Sequence, residues 1–140
     1  MDIKRLRRLL SEGTTPIPGI PEDRVPESLR YINSLAEVHW KVTLVVCDWS
    51  WIDLSTDETP PPLAQFERPS LYQATLFAET VSYSSSSDVA VGRGIGSASL
   101  SCYHLEYGVF ETIDALMVLV GDGRRKQMLP DVFLSIVADQ

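Results

Sequence analysis

From Val38 to Val46 apolar residues fall on every second position: Val38, Trp40, Val42, Leu44 and Val46 point one way, while His39, Lys41 and Thr43 point the other. That period of two predicts a strand with one buried face. The alternation breaks just beyond, where Trp49 and Trp51 fall in the opposite phase. A bulge or short turn near Asp48 restores both indoles to the core side. A second strand is predicted through "LYQATLFAETVSY", with Tyr72, Ala74, Leu76 and Ala78 on one face and Thr75, Phe77, Val81 and Tyr83 on the other. Both faces are partly apolar, which suits a central strand. Ala98, Leu100, Cys102 and His104 alternate with Ser97, Ser99, Ser101 and Tyr103, so a third strand follows.

Helical spacing appears in three places. Residues 1–10 set Ile3, Leu6, Leu9 and Leu10 on one face and Lys4, Arg5, Arg7 and Arg8 largely on the other. Such a segment is too short to be a stable free helix and needs a surface to fold against. "PESLRYINSLAEV" predicts a helix of two or three turns with Leu29, Ile32 and Leu35 or Ala36 as its stripe. "FETIDALMVLVGDG" fits a helix ending at Gly121, with a strand as its alternative because Met117 to Val120 is a continuous apolar run. The closing "VFLSIVA" reads as a short buried strand.

Between these elements, "SEGTTPIPGIPEDRVP" carries Pro16, Pro18, Pro21 and Pro26, which argue against helix and sheet and predict an extended tether. "STDETPPPLAQFERP" is a long, polar, proline-rich loop. The order of elements predicts an α+β fold: a single domain with an antiparallel or mixed β-sheet of about four to five strands and one or two helices on one face. A flexible basic N-terminal arm and tether (1–26) is expected to precede a compact β-rich body (27–140).

Composition sharpens this picture in two ways. The chain of 140 residues is 44% hydrophobic and 22% charged, ordinary for one globular domain. Its net charge of −7 is unevenly spread: residues 1–8 hold four cations against one acid, +3, and the remainder holds 8 cations against 18 acids, −10. An acidic body repels phosphate and anionic lipid, so binding to either must use the arm or the local cluster Arg124, Arg125 and Lys126. No apolar run is long enough to span a bilayer and no signal-peptide pattern opens the chain, so a reducing cytosol is expected, with peripheral membrane association as a variant. There Cys47 and Cys102 are expected as thiols and not as a bridge.

Candidate chemistry is sparse. Gly92, Gly94 and Gly96 resemble a phosphate loop, but Ser97 stands where a third glycine belongs and a strand, not a helix, follows. No Gly-Lys-Ser or Gly-Lys-Thr occurs. The stretch reads instead as a glycine-rich hairpin or bulged strand, a contact surface of Gly92, Arg93, Gly94 and Gly96. Neither CxxC nor HxxxH spacing occurs, and His39 and His104 are isolated, so no metal ligand set and no cofactor are expected. Cys102 and His104 lie two apart on one strand face, roughly 7 Å between Cα atoms, too far for a ready Cys–His pair. Two carboxylate pairs stand out: Asp48 and Asp53 flank the tryptophans, while Glu106 and Glu111 bracket "YGVF". No catalytic residue is assigned.

These features predict a non-catalytic interaction or assembly protein. Lys4, Arg5, Leu6, Arg7, Arg8 and Leu9 are its contact residues, toward a protein partner, a second copy included, or toward an anionic membrane surface. Sequence-specific nucleic-acid binding is not expected, because no aromatics are interleaved with the cations. With "SLRYI" leading into "WKVTLVV", the layout of the first 46 or so residues resembles that of small viral matrix proteins, which place a basic, proline-containing segment before a β-rich core. The resemblance is one of layout and implies membrane-associated assembly. Two alternatives stand beside this reading. One is an acidic inhibitor or immunity-type protein that masks a basic partner with Asp53, Asp57 and Glu58. The other is a small hydrolase using a Trp49/Trp51 cleft.

Overall fold

Strand β2 (Val42–Leu54) is the axis of the fold. Along its first half it pairs in parallel with β7 (Ala115–Leu119), and along its second half in parallel with β8 (Gly123–Met128). Its other edge pairs antiparallel with β3 (Ala74–Ser84) throughout. Asp48 sits at the changeover from β7 to β8 with φ 50°, a left-handed conformation that an aspartate tolerates better than most residues. The consequence is the phase shift read from the sequence: Leu44 and Val46 before it, and Trp49 and Trp51 after it, all enter one core cluster.

The sheet continues from β7 through β6 (Val109–Thr112) to the edge strand β5 (Leu100–His104). Beyond β8 lies the short β1 (Thr15–Ile17), and β3 is flanked by β4 (Ile95–Gly96). In this computed structural model, which describes residues 1–35, 40–56, 59–69 and 71–138, the eight strands curl into a half-barrel. Trp49, Trp51, Tyr103 and Phe110 fill its concave side, and Phe66 packs against Trp51 from the proline-rich loop. On the convex side, α2 (Val25–Ser34) covers Val45, Val109, Leu116 and Val118. Helices α1 (Ile3–Leu10) and α3 (Pro130–Ala138) cover Ile52, Phe77 and Met128.

Several expectations are corrected. Among the described residues the sheet has eight strands, not four to five, and three α-helices accompany it rather than one or two. The run after Phe110 forms β6 and β7 instead of a helix. The reason is that Met117 and Leu119 face the concave core while Leu116 and Val118 face α2, so both sides of β7 must be apolar. "VFLSIVA" is helical, with Pro130 at the first helical position and Asp131 in the first turn, both favourable at a helix start.

The flexible arm is also corrected. Leu6 and Leu10 are 0% and 3% exposed, and burying two such side chains stabilises docking by about 1.5–3 kcal/mol each. Asp2 caps α1 by accepting from the backbone N–H of Arg5 at 3.0 Å, and its own N–H donates to the carbonyl of Ile136. At the other end, Arg124 donates to the carbonyl of Leu10 at 3.1 Å, satisfying an acceptor that the helix end leaves open, and Lys126 donates to that of Glu12 just beyond it at 2.6 Å. The tether is pinned as well, by β1 on β8 and by backbone hydrogen bonds from Gly19 and Ile20 to Gly121 and Leu119. A Cβ on Gly19 would lie 2.3 Å from the Gly121 carbonyl, so this approach requires glycine. Val38, His39, Asp57 and Glu58 lie outside the described residues.

Candidate functional site

The residues singled out in the sequence are scattered by the fold. Asp48 is exposed on the convex face, whereas Asp53 is fully buried on the concave one, so the two carboxylates flanking the tryptophans share no cleft. Trp49 and Trp51 are packed core residues. Asp53 accepts from Arg125 Nε at 2.7 Å and Nη2 at 3.0 Å, from Trp51 Nε1 at 3.1 Å and from the Tyr72 hydroxyl at 3.0 Å. It is an internal tie and not a contact residue. The local basic cluster is engaged in the same way, Arg125 on Asp53 and Arg124 and Lys126 on the end of α1. Gly92, Arg93, Gly94 and Gly96 form the exposed return of a hairpin along β3, with Gly92 at φ 88°.

Two places combine features suited to binding. The first is the face shared by α1 and α3, which lie side by side: Arg5 of α1 donates to Ser135 Oγ of α3 at 3.0 Å. Arg7 forms a two-pronged pair with Glu79 at 2.9 Å. Lys4 and Arg8, one helical turn apart, stand exposed on the outer side. On the neighbouring α3, Leu134 is left 61% and Val137 39% exposed, although a helix this apolar ordinarily buries more of its surface. Between the helices and β3 lies a cavity of about 220 Å3 lined by Met1, Leu6, Phe77, Gly96, Phe133 and Val137. Gly96 thereby links the glycine stretch to this face.

The second is a polar cluster beneath α2. Strands β5 and β6 form a hairpin through a 3-10 turn (Leu105–Tyr107) and Gly108, whose φ of 62° reverses the chain. The register pairs Cys102 with Glu111 and His104 with Val109. Cys102 and His104, two apart, therefore share a face with Glu111 across the ladder. Cys102 Sγ lies 3.5 Å from His104 Nε2 and 3.3 Å from Glu111 Oε1, and Nε2 lies 2.7 Å from that oxygen. Strand geometry alone did not anticipate the Cys–His contact, because Cα separation ignores how far both side chains lean toward a shared acid. Lys41 donates to Glu111 Oε2 at 2.6 Å and to the Thr112 carbonyl at 2.8 Å. The Tyr31 hydroxyl holds His104 Nδ1 at 2.6 Å.

Protonation in this cluster follows its surroundings. Burial and then the neighbouring Glu111 carboxylate push the Cys102 thiol up to about 12. Burial works to raise Glu111, yet hydrogen bonds from Lys41, His104 and Cys102 together hold it below its usual value. A nucleophilic relay needs a thiolate on one imidazole nitrogen and an orienting acid on the other. Here thiol and carboxylate both meet Nε2, and Tyr31 occupies Nδ1. The cluster gathers S, N and O donors at one point and differs from the relay arrangement, in which the acid and the thiolate sit on opposite ring nitrogens. The signal for it in the sequence was Cys102-x-His104 followed by a hairpin turn and Glu111.

The match to a family model runs over residues 21–135, taking in α2, every strand but β1 and the first two-thirds of α3. The chain belongs to the DUF6957 family, a domain of unknown function. Helix α1 and its cations lie outside the matched span. Comparison with curated proteins finds no match, and comparison with solved structures finds none. No helix among the described residues is long and apolar enough to cross a membrane.

Proposed function

We propose that this domain is a non-catalytic interaction protein that binds one protein partner through the face shared by α1 and α3. The observation that carries the reading is Leu134 and Val137 left exposed on α3 and Lys4 and Arg8 exposed on the neighbouring α1, with Val137 lining an apolar notch between the helices and β3. Central apolar anchors with charges at the rim are the usual anatomy of a protein interface. The apolar side of the basic arm is engaged on the body, so the arm contributes its cationic side. The partner we infer is an amphipathic acidic helix, whose large apolar side chains enter the notch while its acids meet Lys4 and Arg8. A lipid surface fits less well, because residues outside the arm sum to −10 and would face it too. A second copy fits less well, because a two-fold contact sets the same cationic face against itself. Free thiols at Cys47 and Cys102 suit the cytosolic location that goes with this proposal.

The test is quantitative capture from the native host by the full chain, by a Lys4→Glu/Arg8→Glu double variant and by Leu134→Ser. The expected result is one partner, weakened by salt and reduced about five- to thirtyfold in each variant, as loss of a central contact of about 1–2 kcal/mol implies. Capture indifferent to both variants contradicts the reading. Binding to phosphatidylserine vesicles, or a dimer abolished by Leu134→Ser in sedimentation, replaces it with the membrane or the self-association alternative.

A further inference from the structure

We propose that Cys102, His104 and Glu111 form a binding site for a divalent late transition-metal ion, with zinc the best fit. The site is independent of the α1–α3 face, and its case rests on the donor set, the geometry and the groups behind it. Sulfur, imidazole nitrogen and carboxylate oxygen from these three residues lie within 4.8 Å of one another. Tetrahedral zinc, with bonds of about 2.0–2.3 Å, sets its ligand atoms roughly 3.3–3.7 Å apart. The Sγ–Nε2 separation of 3.5 Å and the Sγ–Oε1 separation of 3.3 Å already meet that spacing. Only the Nε2–Oε1 contact, at 2.7 Å, must open, by roughly 0.6 Å. Rotation of the Glu111 carboxylate about its Cγ–Cδ bond can supply that movement; Oε2 shifts by a similar amount and, starting 2.6 Å from Lys41, keeps its hydrogen bond.

The surrounding shell is the one a metal site needs. Ligating imidazoles are oriented by a hydrogen bond on the nitrogen that does not bind. Tyr31 provides it on Nδ1 and is itself stacked on Tyr107 at 4.0 Å, so the ring is held from behind. Lys41, anchored on the Thr112 carbonyl, fixes the free oxygen of Glu111. A thiolate, a carboxylate, Lys41 and a divalent ion sum to a single positive charge, so the assembled site carries little uncompensated charge. Side chains of His104 and Glu111 remain 17% and 13% exposed, leaving the fourth position open to water. Sulfur and imidazole disfavour magnesium and calcium, which take oxygen ligands.

The experiment titrates cobalt(II), as an optical stand-in for zinc, into the full-length reduced protein. The expected result is a thiolate-to-cobalt charge-transfer band that saturates at one ion per chain and is bleached by one equivalent of zinc. Cys47→Ser keeps the band. Cys102→Ser abolishes it with an unchanged circular dichroism spectrum, and Cys102→Ala provides a second variant for the same comparison. Tyr31→Phe, which removes the hydroxyl but keeps the stacked ring, weakens zinc binding by about 10- to 100-fold. A parent chain without the band, or a band that survives Cys102→Ser and disappears in Cys47→Ser, overturns the site. Equal affinities for Tyr31→Phe and the parent overturn the positioning role given to Tyr31.

Discussion

Arg125 of β8 closes on Asp53 of β2 with two hydrogen bonds, 2.7 and 3.0 Å, and the carboxylate is fully buried. The pair joins the two strands in the half-barrel interior, beside Trp51, whose ring lies 5.7 Å from the guanidinium. Removing one partner leaves a desolvated charge without its counter-ion, together with Trp51 and Tyr72 donors when Asp53 is lost. Asp53→Ala is therefore expected to destabilise the fold by about 3–5 kcal/mol. A double-mutant cycle with Arg125→Met, read from urea midpoints at constant slope, checks it. Additive effects would show that the two residues act separately.

The same carboxylate contributes to an alkaline response. Burial, followed by the charge on Asp53, raises the Tyr72 hydroxyl from 10.0 to about 12. A raised folded value stabilises the native state fully below pH 10 and loses that contribution as pH climbs toward 12. Stability should therefore fall through this window, and Tyr72→Phe should flatten the fall. An unchanged slope in the variant would contradict the assignment.

Helix α1 is part of the folded unit through its buried Leu6 and Leu10. Leu6→Ala removes a side chain with no exposure and is expected to cost about 2–5 kcal/mol in chemical denaturation. A change below about 0.5 kcal/mol, typical of exposed positions, would mean that the helix is undocked in solution.

Glycines separate by what surrounds them. A Cβ on Gly123 would lie 2.4 Å from the Trp49 ring, whereas one on Gly96 meets only the flexible end of Met1 at 3.6 Å. Gly123→Ala should destabilise by about 1–3 kcal/mol and Gly96→Ala far less. The difference in thermal midpoint between the two variants measures this directly.

Much of the convex–concave logic was legible in the chain. The phase break between Val46 and Trp49 reported the left-handed turn at Asp48, and the 1–10 stripe reported α1. What hid the rest was context. The run Leu116–Leu119 carries no period because β7 is covered on both sides. The proline-rich 11–26 segment looked like a tether because pairing of Thr15–Ile17 with β8 depends on residues more than 100 positions away. At the cluster, Cys102 and His104 were noticed, but their third partner is set by hairpin register, which local alternation does not encode. Arg124, Arg125 and Lys126 looked like a surface patch, yet strand alternation sends one inward to Asp53 and two outward onto α1.

A partner is proposed to bind the α1–α3 face. The most direct test places a photo-crosslinking residue at position 134 in the native host, with position 105 as control: Leu105 is 41% exposed on a different part of the surface. The expected result is one adduct from position 134, lost in the Lys4→Glu/Arg8→Glu background, and none from position 105. An adduct from position 105 alone, or one at position 134 that persists after charge reversal, would contradict it.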